Sequence, residues 1–227
     1  SGGIWPAIVG TFFLTMLCAI FVAPFGIGAA VYLSEYAPDN RWTQTIRIAI
    51  INLAGIPSVV YGLFGLGLFV IFFNMGISIL AGSLTLAIMT LPVIITTTEE
   101  ALRAVPQPFR VVSRSVGATQ WQTIRRIVLP QALPGIMTGV ILGLERAAGE
   151  TAPILFTAAV FFLPRLPASA LDPTMALPYH LYVISTQVPG MSPQIQYGTA
   201  LVLLLFVLGM NLLATFIRSR ARARRQW

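Results

Sequence analysis

Glu145, Arg146 and Glu150 stand within six residues of one another in the apolar run Ala132–Phe162, which has no other ionised side chain. A charge at the middle of a bilayer costs about 2.5–3.5 kcal/mol on insertion scales, so three of them need a reason. At about 100° per residue, Arg146 and Glu150 stand about 40° apart on a helix surface, one turn removed, at the spacing of an i,i+4 ion pair. Glu145 points about 100° away from Arg146 and needs a partner elsewhere. Two readings fit these residues: a neutralising pair that lets the helix insert and pack, or a fixed positive charge offered to an anion in transit, with Glu150 holding Arg146 in place. The second suits a phosphate-like anion, because a guanidinium fork donates two hydrogen bonds at once.

Other polar groups in apolar surroundings extend the candidate set. Asn52, Ser58 and Tyr61 lie in the run Ile46–Phe73, where a polar group facing lipid is costly; they face either protein or a water-filled path. Thr96, Thr97 and Thr98 can bond back to their own helix, while Glu99 and Glu100 can pair with Arg103 or form a solvated helix end. Nucleophilic and metal chemistry find little support. Cys18 is the sole cysteine and His180 the sole histidine, so no disulfide, metal cluster or nucleophile–base pair can be assembled from them. Cys18 reads as a small apolar helix residue.

The elements that must position these groups are membrane helices. Of 227 residues, 56% are hydrophobic and 9% charged, and the mean hydropathy of +0.83 excludes a soluble globular domain. Runs long enough to cross a hydrocarbon core, which takes about 20 residues, occur at Ala7–Leu33, Ile46–Phe73, Ile77–Thr98, Ala132–Phe162 and Gly198–Ile217. The expected fold is therefore all-α, a polytopic membrane protein of five transmembrane helices. Asn74-Met75-Gly76 joins the second and third as a tight hairpin. Pro24, Gly26 and Gly28 make a kink plausible in the first, and Gly55, Gly62, Gly65 and Gly67 allow close helix approach in the second. The proline-rich stretch Leu163–Gln196 cannot form one helix; a short piece near Met175–Thr186 fits an interfacial position, and the whole reads as a landing surface for an external protein or a lid over the helix ends.

The formal charge of +7 comes from fourteen arginines and no lysine, and its distribution argues for topology, with no nucleic-acid-binding face. Twelve arginines fall on one side of the expected spans, among them Arg41, Arg47, Arg103, Arg110, Arg114, Arg125, Arg126 and the cluster in a tail at 218–227; Arg165 alone falls on the other. The positive-inside rule puts the C-terminus and the 99–130 loop in the cytoplasm and the N-terminus outside. An outer N-terminus with no signal sequence suggests that a preceding span is absent. Within the loop, Phe109–Pro130 is too short and too charged to cross a bilayer. Its apolar residues, Phe109, Val112 and Val116 before Gly117 and Trp121, Ile124, Ile127 and Val128 after it, predict two short amphipathic helices with a bend at Gly117-Ala118 and an end at Pro130. A channel or an enzyme has no need of such a device, whereas a permease driven by a cytosolic partner does.

From Gly117 through nine residues to Ile127, Leu129 and Pro130, the loop resembles the G-x9-I-x-L-P half of the "EAA" loop of ABC importer permeases. The Glu-Ala-Ala that opens that loop reads Val111-Val112-Ser113 here. The run Arg146-Ala147-Ala148-Gly149-Glu150-Thr151-Ala152-Pro153 resembles the R-x-x-G-E-T-A-P signature of PstA-type permeases of phosphate ABC importers. The stretches Gly3–Thr11, Gly55–Gly67, Glu99–Pro106 and Gly117–Pro130 agree with the same family, so the likeness covers most of the chain. It implies a single permease domain over 1–227 that works by alternating access in a prokaryotic inner membrane. Arg146, Glu150, Glu145, Thr151, Ser58 and Tyr61 are then expected on the substrate path, and Gly117, Ala118, Thr119, Trp121, Ile127 and Pro130 in ATPase coupling. Implied partners are a second, PstC-type permease, two ATP-binding subunits and an external phosphate-binding protein. No G-x-x-x-x-G-K-[ST] run is present, so ATP and magnesium belong to the partner ATPase, and this chain is expected to hold no cofactor and no metal and to be non-catalytic. A permease for sulfate or molybdate shares every physical feature above, and a channel or proton-coupled secondary transporter is the reading from a different class.

Overall fold

In lipid a backbone can satisfy its N–H and C=O groups only internally, so the apolar runs of this chain fold as helices wherever proline permits. The computed structural model describes residues 3–163 and 165–223. Helix α1, Trp5–Val31, runs unbroken through Pro24 and continues as a π-helical stretch over Tyr32–Tyr36. Then come α2, Arg41–Ala54, and α3, Ser58–Gly65, which continues π-helically to Phe72. After α4, Ile79–Arg103, come α5, Gln107–Ser115, and α6, Gln120–Thr123. A π-helical stretch over Ile124–Val128 joins α6 to α7, Leu129–Gly149. Helices α8, Ala152–Thr157, α9, Leu177–Thr186, and α10, Pro193–Ala223, complete the order. The only strand-like feature among the described residues is one bridge between Ala159 and Thr174. The all-α, polytopic expectation therefore holds. Arg224 and Arg225 of the expected tail lie outside the described residues.

Among the described residues, four helices are long and apolar enough to cross a membrane: Trp5–Tyr36, Ile79–Arg103, Gln120–Gly149 and Pro193–Phe216. Five result if the bent pair α2–α3 is one span. Two of the expected spans need correction. The second, Ile46–Phe73, is not a straight helix: α2 and α3 meet at 99° across Gly55-Ile56-Pro57. Pro57 has no N–H to continue the ladder and biases Ile56 away from helical angles. The fourth, Ala132–Phe162, stops at Gly149, and Glu150 is extended at ψ 135°. Pro153 accounts for that stop, since in a continuous helix its ring would strike the carbonyl four residues back, that of Gly149. Conversely, Pro130 does not end the loop, because Gln120–Gly149 is one helical span. The π-helical stretch just before Pro130 absorbs the missing donor by widening the turn.

Helix α4 is the axis of the bundle, with Leu86, Met89 and Ile94 buried. Its neighbours approach through small residues. A Cβ built at Gly139 of α7 would lie 2.0 Å from Thr97 Oγ1, and one at Gly65 would lie 2.1 Å from Thr85 Oγ1. The turn between α3 and α4 is tight, with Asn74 and Gly76 at φ 52° and 65°. Helix α9 lies close to the expected short piece and packs on the bundle through Leu177, Val183 and Ile184, which are buried. The Leu177 N–H donates to Thr11 Oγ1 of α1 at 2.9 Å, tying this segment to the first span.

Candidate translocation and coupling sites

The break between α7 and α8 carries the charged residues. Pro153 forces Glu150 out of the helix, yet the pair with Arg146 survives, with Nε 3.4 Å from Oε1. The two side chains are 39% and 19% exposed, so this charge pair stands at a helix end that is open to its surroundings. The mid-helix placement expected from the sequence is corrected accordingly. Among the described residues Arg146 makes this one hydrogen bond, through Nε. Its terminal NH2 groups remain available as a fork.

The second break stands beside the first. A Cβ on Gly62 of α3 would meet the Ala152 carbonyl at 2.8 Å and Pro153 Cα at 3.1 Å, so α3 and α8 touch backbone to backbone. Tyr61, one residue earlier, is buried and donates its hydroxyl to the Leu53 carbonyl at 2.7 Å. It thereby adds a second donor to a carbonyl in the last turn of α2, which also accepts from the Ile56 N–H at 3.2 Å, and lies within electrostatic reach of Arg146. Ser58 begins α3, half-buried, and Thr151 precedes α8 without capping it through its side chain. Thus Arg146, Glu150, Thr151 and Tyr61 gather around two adjacent helix breaks. Glu145 does not join them. It lines an apolar crevice of about 180 Å³ with Phe12, Met16, Ile141 and Met210.

At another part of the bundle the 107–128 loop forms a compact knuckle. Gly117 adopts φ 85°, a left-handed conformation that makes the bend and suits a residue without Cβ. The Ala118 N–H donates to the Ser113 carbonyl at 3.2 Å. Thr119 caps α6 reciprocally with Gln122, a capping box. Phe109, Val111, Val112, Val116 and Trp121 are exposed, while Arg110 and Ser113 are buried. The helix is amphipathic as expected, but its apolar face turns away from the bundle and its polar face turns in. Ile124 and Val128 are buried at the root of α7, and Ile127 is half-buried.

Of the ion pairs at this end, Glu99 with Arg103 was expected, and those of Glu99 with Arg47 and of Arg110 with Glu35 were not picked out from the sequence. Glu99, expected as a solvated end or an Arg103 partner, is buried between Arg47 Nε at 2.8 Å and Arg103 Nη2 at 2.7 Å. Arg110 is paired with Glu35 at 2.7 Å. A signal for Arg110 existed in the sequence. If Phe109, Val112 and Val116 mark one face of α5, Arg110 stands about 125° from its centre and Ser113 at its edge on the same side as Arg110.

Comparison with known proteins completes the site's context. The family model described as "Binding-protein-dependent transport system inner membrane component" matches residues 22–225. The chain is 36% identical to the probable ABC transporter permease protein YqgI of Bacillus subtilis, covering 96% of this chain and 78% of that one. It is 35% identical to the phosphate transport system permease protein PstA 1 of Mycobacterium tuberculosis, covering 100% and 73%. The probable phosphate transport system permease protein PstA of Methanocaldococcus jannaschii is 35% identical, covering 92% and 74%. Among solved structures, the inward-facing MetNI methionine ABC transporter matches with a TM-score of 0.72 at 19% identity, covering 96% of this chain and 94% of that one. A bacterial transporter that imports the acidic polysaccharide alginate matches with a TM-score of 0.74 at 14% identity, covering 97% and 80%. At such identities the structures speak for the fold, the sequence relatives for the family. This multi-pass chain therefore belongs to the inner membrane components of binding-protein-dependent transport systems.

Proposed function

We propose that this chain is a permease subunit of an ATP-driven importer of inorganic phosphate and forms half of its translocation path. The observation that carries the reading is Arg146, held through Nε by Glu150 with its terminal NH2 groups unoccupied by any described residue. A tetrahedral oxyanion can take two parallel hydrogen bonds from such a fork. Glu150 keeps the empty site close to neutral, and Thr151 and Tyr61 add hydroxyls nearby. The PstA relatives support phosphate as the anion.

The exposed apolar face of the 107–128 loop supports coupling to a separate ATPase. Phe109, Val112, Val116 and Trp121 would enter a cleft of that partner, and Gly117 sets the angle between the two halves of the knuckle. Nucleotide-driven closure of two such ATPases would displace the loop and tilt the spans. The loop and the C-terminus would then face the cytosol and the N-terminus of the chain the outside, where a phosphate-binding protein delivers its cargo. A second permease of the same fold would complete the path. ATP and magnesium are bound by the ATPases, and this subunit is non-catalytic.

Competition decides the substrate. In vesicles holding the assembled complex, ATP-dependent uptake of labelled phosphate is expected to be displaced by unlabelled phosphate and to resist equal sulfate or molybdate. Displacement by sulfate would make the chain a permease for another oxyanion. Uptake driven by a proton gradient without ATP would overturn the importer reading.

A further inference from the structure

Arg110 lies in the coupling helix α5, yet its bonds all leave that helix. Nη2 donates to Glu35 Oε1 at 2.7 Å and Nε to Glu35 Oε2 at 3.3 Å. The remaining donors reach backward, Nη1 to the Val105 carbonyl at 2.6 Å and Nη2 to the Leu102 carbonyl at 2.8 Å. Those two carbonyls belong to the end of α4 and the hinge that follows it, where the negative end of the helix dipole favours a cation. Glu35 belongs to the π-helical end of α1, and its own carbonyl accepts from Gln120 Nε2 at the start of α6. The two charged side chains are 8% and 6% exposed, so the pair is desolvated and bidentate, a geometry in which it is stiff and hard to replace. A buried hydroxyl contact between Ser113 and Thr123 at 2.9 Å then locks α5 to α6.

The loop has a covalent route into α7, since Gln120–Gly149 is one span. It has no such route to α1, which is 75 residues away in the chain at the Glu35–Arg110 contact. We infer that Arg110 is a positioning residue that ties the coupling loop to α1 and α4 through Glu35 and the Leu102 and Val105 carbonyls. Displacement of the loop by the ATPase then moves those two helices with α7, in place of bending α7 alone. This inference rests on the reading of residues 107–128 as the ATPase-facing loop. It also explains how a loop with Val111-Val112-Ser113 at its head stays ordered: its anchor is Arg110, one residue earlier, and the partner is supplied by α1.

The test measures ATP hydrolysis and phosphate uptake separately in the assembled complex. Glu35→Gln keeps an acceptor and removes the charge, while Arg110→Lys keeps the charge and removes the fork. Both are expected to leave binding-protein-stimulated hydrolysis near wild type and to lower uptake per ATP by about tenfold. A Glu35→Cys/Arg110→Cys variant, in a Cys18→Ser background, is expected to regain that ratio when bridged by a reversible bifunctional thiol reagent and to lose it again on reduction. Hydrolysis and uptake falling in proportion, an unchanged ratio, or a ratio indifferent to the bridge would overturn the inference. If the wild type proves to carry sulfate, only the substrate assignment fails, and the same ratio taken with sulfate decides on Arg110. If wild-type transport is independent of ATP, both readings fall.

Discussion

At Arg146 and Arg110 the same residue type is used in opposite ways. Arg110 has its donors engaged by protein and is sealed from solvent, as suits a structural joint. Arg146 uses only Nε and remains accessible, as suits a site that must bind and release. Glu145 was legible as a charge needing a partner, but in its crevice between α1, α7 and α10 the described residues that line it with Glu145 are apolar. His180 makes a different case. It stacks on Phe161 with ring centroids 5.7 Å apart, and burial holds its imidazole below the ordinary value. A folded-state value below the unfolded value of about 6.5 means that the unfolded chain takes up the proton first. The stability His180 contributes is therefore complete above about pH 6.5 and is lost as pH falls through the folded value. The protection of amides across α9, measured relative to their intrinsic exchange rate at each pH, is expected to fall as pH drops below about 6.5 and to lose this dependence in His180→Phe. Equal pH dependence in the variant would assign it to other groups.

At the scale of elements, apolar runs were readable from the sequence and their ends were not. Hydropathy carries no mark at Gly149, because Ile154, Leu155 and Phe156 restore the apolar average past the break. The mark is Pro153 acting four residues upstream. Pro130 stands in the chain as the same residue type, yet the helix passes it, because a π-helical stretch precedes it and widens the turn. The glycine pattern was a partial guide: of the four expected to allow close approach, Gly62 and Gly65 do, while a Cβ at Gly67 meets nothing within 4 Å and one at Gly55 only the Asn52 carbonyl at 3.4 Å. Gly65 and Gly139 are places where α3 and α7 approach Thr85 and Thr97 of α4 more closely than any Cβ allows. Gly139→Ala is thus expected to cost about 1–3 kcal/mol by overpacking. For a chain of this size that is a fall of about 2–4 °C in unfolding midpoint per kcal/mol. Gly198→Ala, inside α10 with no atom near its Cβ, is the control and should raise the midpoint slightly, since Ala is favoured over Gly in a helix by about 0.5–1 kcal/mol. Equal shifts in the two variants would mean that the α4–α7 seam has room that the glycine does not fill.

For the whole molecule, the distribution of polarity says more than the count of spans. A bundle with α4 buried at its axis exposes apolar side chains along α3 and α10, surfaces suited to lipid and to a second permease. At one end it exposes an apolar knuckle, Phe109 to Trp121, rooted by buried ion pairs. Between them, two helices interrupted by Pro57 and Pro153 bring Tyr61, Arg146 and Glu150 together. Discontinuous helices at membrane depth are tolerated where they line a cavity or are buried in protein, and here the interruption is where the unoccupied guanidinium fork stands. The sequence showed the composition of that site, and the folded chain supplies its reason for being at a break. The most direct test of this account is ATP-dependent phosphate uptake in vesicles holding the assembled complex, comparing wild type with Arg146→Gln. The account predicts uptake lowered by at least about tenfold with ATP hydrolysis and assembly intact, since the variant loses the charge and the fork together. Unchanged uptake would contradict it and leave the Arg146–Glu150 pair as a device of packing.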